Sequence, residues 1–211
     1  MMRIVGDITG APALLVMLPG ADMHAEEFQA NGFLGGDGPV DEIDPVDRIA
    51  VETGMECYLD EVSVALLHDQ VIAPAHARGT VRIWLVGISL GGMGALLYAQ
   101  AHPDRIAGTI LLAPFIGSRG LIAECERAGG LRHWHPADLS TAERRLLVWL
   151  GAAKGLPDMY LGYGSDDRFA AAHRLLADLL PTERVVTVPG GHDWPTWRAL
   201  WQVLQQCWIE A

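Results

Sequence analysis

The stretch Gly87-Ile88-Ser89-Leu90-Gly91-Gly92 decides the reading of this chain because of what flanks it. Before it runs the apolar, β-prone segment 81–86, and after it the helix-forming segment 93–100. A serine forced into a sharp strand-to-helix turn has its hydroxyl held out at the sheet edge, and the flanking glycines supply the room such a turn needs. The same turn aims the first N–H groups of the helix at any negative charge that develops beside the serine. Alone, G-x-S-x-G is a weak signal, since many strand-to-helix turns are glycine-rich for steric reasons. Here it gains weight from its flanks and from acid and imidazole groups downstream in the order Ser, Asp, His.

Those groups follow β-prone runs of their own. Residues 160–163 lead into Gly164-Ser165-Asp166-Asp167, and residues 184–188 into Pro189-Gly190-Gly191-His192. In an open α/β sheet the functional crevice lies at the carboxyl ends of the strands, so residues far apart in sequence converge there. The chemistry needs that convergence. A serine hydroxyl is a poor nucleophile until a base takes its proton, and histidine suits neutral pH. A buried carboxylate then fixes the imidazole tautomer and stabilises its charged form.

On GISLGG, GSDD and PGGHDW the chain resembles the α/β-hydrolase superfamily, as a small serine esterase of carboxylesterase type, and the resemblance spans nearly its whole length. It implies Ser89 as nucleophile, His192 as general base and a carboxylate from the Asp166/Asp167 pair. The usual spacing of glycine, two residues, then aspartate selects Asp167 from Gly164, with the adjacent Asp166 left as an alternative. The apolar strand at residues 14–18 runs into Pro19-Gly20-Ala21, where relatives often carry a His-Gly pair. The resemblance therefore implies an oxyanion hole made by the amides of Ala21 and Leu90; proline replaces the usual histidine, but the donors are main-chain groups. It also implies an α/β-hydrolase fold: a mostly parallel twisted sheet with helices on both faces and a small helical insertion after the sixth-strand equivalent. The implied substrate is a small-molecule carboxylic ester or thioester, and no cofactor or metal is implied. Rival readings on the same triad are amide or peptide hydrolysis, acyl transfer and carbon–carbon cleavage; outside enzymes stands a non-catalytic binding module.

Composition bounds the rest. A chain of 211 residues, half of them apolar, suits one domain over 1–211 with a continuous core. A formal charge of -11 argues against nucleic acid and against a polybasic membrane contact. Cys57, Cys125 and Cys207 are an odd, widely spaced set that suggests neither a disulfide framework nor a metal site, which fits a reducing, cytoplasmic setting. Residues 11–18 resemble the apolar part of a signal peptide, but Gly6-Asp7 interrupt the approach and no small-residue cleavage site follows, so a core strand is expected. No stretch is long enough to span a bilayer.

Strand-like and helix-like segments alternate, which predicts a mostly parallel sheet with helices on both faces. Strands are expected at 13–18, 48–52, 81–86, 106–113, 158–163 and 184–188, and helices from Ala25, over 58–77, 92–102 and 168–180, and from Trp194. Gly35-Gly36-Asp37-Gly38-Pro39 reads as a loop without a phosphate-cradling pattern. The interruption at 115–157 is expected to form a cap or lid. Its second half reads as a helix opened by a Ser140/Glu143 capping box and closed by Gly155 and Pro157, with Leu146, Leu147, Trp149 and Leu150 on one apolar face. That face either lines a substrate pocket or packs as core.

Asp22, Met23, His24, Phe115 and Trp149 are the candidate substrate-binding residues, although Asp22 is read first as a cap for the following helix. His133-Trp134-His135 lacks a third ligand at a supporting spacing and is read as a loop whose tryptophan packs down. Trp197, Trp201, Leu204 and Trp208 make one bulky face of the last helix. Packing on the sheet beneath His192 is the favoured role; a dimer interface is the alternative, so the chain is expected to be a monomer or homodimer.

Overall fold

Residues 2–35, 45–52, 62–152 and 157–206 are described by a computed structural model of the chain. The expected features at Tyr58, Cys57, Cys207, Trp208 and Gly155 and most of the 35–39 loop lie outside the described residues.

The central strands are runs of apolar residues because both of their faces are covered. In β2 (Ala13–Leu18) all six residues are buried. Leu14, Val16 and Leu18 enter one core cluster, and Ala13, Leu15 and Met17 enter the other, the two-residue period of a strand. With β1 (Arg3–Val5), β3 (Val46–Glu52), β4 (Arg82–Ile88), β5 (Gly108–Leu112), β6 (Asp158–Gly164) and β7 (Val185–Val188), the sheet has seven strands in the order β1-β3-β2-β4-β5-β6-β7. All neighbours are parallel except β1, which pairs antiparallel with β3 at the edge.

One face carries α1 (Ala25–Ala30) and α8 (Trp194–Leu204), whose Phe28, Trp197, Leu200 and Trp201 pack with Trp84 and Ile110. The other face carries α2 (Val62–Leu67), α3 (Ala73–Ala77), α4 (Leu90–Ala101), α5 (Arg119–Arg127), α6 (Ala142–Ala152) and α7 (Ala170–Ala177). A π-helical turn, His68–Ile72, joins α2 to α3 just ahead of Pro74, whose missing N–H interrupts the regular ladder. Asp47 fixes the entry to β2 by accepting from the Thr9, Gly10 and Ala11 amides and the Thr9 hydroxyl.

Three expectations change. The edge strand β1 and helix α5 had no counterpart in the sequence reading. The capping box at α6 does not form: Glu143 accepts from the Ser118 amide, Ser140 donates its hydroxyl to Asp138, and Thr141 Oγ1 receives the Arg144 amide. Nor does α6 roof the strand ends. Leu146, Leu147 and Leu150 are fully buried in the cluster that holds Met93, Leu96 and Leu97 of α4, and Trp149 packs half-buried against it. Trp134 is buried in that cluster, with His133 and His135 exposed on either side. Trp197, Trp201 and Leu204 of the last helix are likewise buried against the sheet. Among the described residues no helix is long and apolar enough to cross a membrane.

Candidate active site

Ser89 stands between β4 and α4 with φ 51 and ψ −115, a conformation that L-residues rarely adopt. Surrounding bonds hold it there. Its N–H donates to the Leu112 carbonyl at 3.0 Å, and its own carbonyl accepts from the Gly92 and Phe115 amides at 2.9 and 2.8 Å. The glycines of the motif are there for space. A Cβ on Gly91 would collide with the Leu18 carbonyl of the neighbouring strand, and one on Gly92 would come within 2.6 Å of Pro114 Cβ.

The turn brings Ser89 Oγ to His192, whose loop follows β7. The hydroxyl donates to His192 Nε2 at 2.9 Å, and His192 Nδ1–H donates to Asp167 Oδ2 at 2.7 Å. A carboxylate only accepts, so the proton belongs on Nδ1 and the Nε2 lone pair faces the serine. Asp167, not Asp166, meets the imidazole; Asp166 is exposed and accepts from its neighbour Ser165. Burial alone would raise the Asp167 pKa, but hydrogen bonds from His192 and from the Phe169 amide at 2.8 Å outweigh it and hold the carboxyl below its ordinary range. The loops are laced together, since the Ser165 amide donates to Val188 and the Asp166 amide to Gly190.

Several residues that shape the site were not singled out from sequence. The Phe169 ring stands edge-on to His192 at a centroid distance of 5.0 Å, joining Trp197, which the sequence did place beneath His192 and which lies edge-on to it at 5.2 Å. Asp193 caps α8 by accepting from the Thr196 amide and hydroxyl, a D-x-x-T signal present in the sequence. Glu27 joins the two helices of that face, accepting from the His24 amide at 2.8 Å and from Trp194 Nε1 at 3.0 Å.

Of the candidate substrate-contacting residues, Met23 and Phe115 lie beside Ser89. The Met23 sulfur accepts from the Gly20 amide at 3.2 Å, and an added Cβ on Gly20 would sit 2.8 Å from that sulfur and 3.2 Å from Ser89 Cβ. Phe115 is half-buried and packs edge-on to Phe169. His24 turns instead to Glu52 at the end of β3, with Nδ1 and Oε1 3.2 Å apart. Asp22, exposed and left-handed at φ 58, is not the cap of α1; His24 holds the N-cap position, and Glu27 reaches back to its amide. Trp149 belongs to the α6 core packing. The Ala21 and Leu90 amides follow the ends of β2 and β4, which are adjacent strands, and neither donates to another described residue. Among the described residues no cluster of metal-ligating side chains is found. A cavity of about 390 Å³, lined in part by Leu97, Gln100 and His102, opens at the opposite end of α4 from Ser89.

The fold has many solved relatives. FphF, a fluorophosphonate-binding serine hydrolase of Staphylococcus aureus, superposes with a TM-score of 0.66 at 16% identity, covering 94% of this chain and 83% of that one. A monoacylglycerol lipase of Paleococcus ferrophilus gives 0.64 at 15% identity, over 99% and 97% of the two chains. An S-formylglutathione hydrolase of Agrobacterium tumefaciens gives 0.66 at 14%, over 99% and 88%. These likenesses show the α/β-hydrolase fold. No curated protein sequence matches. The family model described as serine aminopeptidase, S33, does match, over residues 53–158, half of the chain with the serine turn inside it. The chain thus belongs to this family of α/β-hydrolases, which are serine hydrolases.

Proposed function

We propose that the protein cleaves a carboxylic ester or thioester through an acyl-serine intermediate. The observation that carries this reading is the unbroken chain from Ser89 through His192 to Asp167, at 2.9 and 2.7 Å, on a serine held in a strained turn. Ser89 Oγ attacks the acyl carbon while His192 Nε2 takes its proton. The oxyanion meets the amides of Ala21 and Leu90. As the tetrahedral intermediate collapses, the imidazolium gives its proton to the departing alcohol or thiol. Water, deprotonated by the same imidazole, then attacks the acyl-serine, and the acid leaves as Oγ recovers its proton. Throughout, Asp167 keeps the imidazole in the Nδ1–H tautomer and stabilises its charged form. Met23 and Phe115 flank the substrate at the serine.

An ester or thioester is favoured because a triad and two amides suffice for a good leaving group, and because solved relatives include a lipase and a hydrolase of an S-acyl compound. Amide cleavage is the second reading, favoured by the aminopeptidase description of the matching family. The experiment is labelling with a fluorophosphonate probe, followed by turnover on matched ester, thioester and amide panels. Labelling at Ser89 with ester or thioester turnover is expected. An unlabelled, folded protein would refute the mechanism, and turnover confined to N-terminal amides would move the activity to peptide hydrolysis.

A further inference from the structure

His173 on α7 is fully buried, and the mechanism above does not use it. Its Nε2–H donates to the Pro114 carbonyl at 3.1 Å. A carbonyl only accepts, so Nδ1 carries the lone pair, and that atom has no hydrogen-bond partner among the described residues. Burial is the largest influence on the ring and pushes its pKa down to about 4, against the opposing pull of Asp167 and the Pro114 carbonyl. The imidazole is therefore neutral at physiological pH. An unmatched acceptor in the interior is costly, and an apolar side chain of similar size would avoid it. What Nε2 holds must justify the histidine.

It holds the middle of a short strap. Ala113 is left-handed at φ 48, and its amide donates to the Gly162 carbonyl at 2.7 Å. Pro114 packs on Gly92 of the serine turn. The Phe115 amide donates to the Ser89 carbonyl at 2.8 Å. Segment 113–115 thus braces the main chain of the strained serine from the β5 side, while its own backbone is strained at Ala113. His173 is the side chain that fixes its central carbonyl.

We propose that His173 is a positioning residue: by clamping the Pro114 carbonyl it locks the 113–115 strap against Ser89 and keeps the hydroxyl in line with His192. Its helix starts just after the Asp167 loop, so the clamp ties the acid side of the site to the nucleophile side without adding a charge beside Asp167. The inference rests on the serine-hydrolase reading and assigns a residue which that reading leaves idle.

Two variants test it. His173→Leu keeps an apolar filling and removes the donor; His173→Gln keeps a donor that reaches Pro114. The readouts are hydrogen exchange at the Phe115 amide, the rate of fluorophosphonate labelling at Ser89, and kcat and KM on an ester. In the leucine variant Phe115 exchange should accelerate about tenfold or more, and labelling and kcat should fall about 10- to 100-fold with KM little changed, the scale of a small misplacement of a reacting group. The glutamine variant should recover most of both. Wild-type exchange at Phe115 in the leucine variant overturns the clamp, as does faster exchange with labelling and kcat intact, or a glutamine variant as impaired as the leucine one. If the leucine variant does not fold, the glutamine variant decides alone: loss of Phe115 protection or of kcat overturns the role. Absence of labelling in the wild type refutes the hydrolase reading itself, and Phe115 exchange then still judges the clamp.

Discussion

The end of β4 and the crossover from β5 to β6 differ in what their residues are for. At the end of β4 each residue answers to a neighbour within contact distance: Gly91 to the Leu18 carbonyl, Gly92 to Pro114, and Ser89 to three main-chain hydrogen bonds. In the crossover only Gly151 is so confined among the glycines of α5 and α6, since an added Cβ there would collide with the Leu131 carbonyl. Elsewhere the two helices mainly present apolar side chains to one cluster, and many residues of similar size would serve. Chemistry concentrates where the backbone has no freedom, and substitutions should separate the regions accordingly.

The largest effect should come from removing the reacting groups. Ser89→Ala or His192→Ala is expected to lower kcat by about 10⁶, each nearly as much as both together, with the thermal transition intact. A variant keeping most of its turnover would move the chemistry away from β4. Next, Asp167→Asn should lower kcat by about 10⁴, whereas Asp166→Asn should stay within a few-fold. The same aspartate has a stability signature. Its folded pKa is depressed, so its contribution is fully present above the ordinary carboxylate range and is lost as pH falls through the folded value. The difference in Tm between the wild type and Asp167→Asn should be widest near neutrality and close in acid; a constant difference would show that the carboxylate gains nothing from the fold.

Smaller effects contrast the regions directly. Gly91→Ala drives a methyl into backbone that cannot yield, and should cost about 3 to 5 kcal/mol by denaturant unfolding. Trp149→Ala should cost about 1 to 3 kcal/mol while changing kcat/KM across an acyl-chain series by one common factor. A change of preference between short and long chains would instead return Trp149 to the substrate. Smallest of all, Gly120→Ala in α5, where an added Cβ meets nothing within 4 Å, should raise stability by about 0.5 kcal/mol. Loss of stability there would mean that the crossover is as constrained as the serine turn.

The same contrast explains what could be read without coordinates. Tight approach at Gly87, Gly91 and Gly92 leaves its mark in residue type, so the serine turn and the parallel strands around it were legible. Asp166 and Asp167 are adjacent in one turn, and only the path of that turn decides which carboxylate meets His192. The helix at 142–152 was legible as amphipathic; where its apolar face docks is a long-range fact that periodicity does not carry. The three residues of β1 are too few to show a period. His173 looked like any residue of a surface helix, because its partner, the Pro114 carbonyl, is 59 positions away in the chain.

The separation of 103 positions from Ser89 to His192 also sets a clock for synthesis. Elongation at about 5 to 20 residues per second puts the serine in place roughly 5 to 20 seconds before the imidazole exists, and the aspartate arrives late as well. Until the last strand and helix dock, the nascent chain carries only an ordinary hydroxyl. A folding intermediate without α8, whose Trp197 backs the imidazole, would be equally inert. The proposed reactivity is thus withheld from the ribosome-bound chain by the order of its residues, without any separate inhibitor.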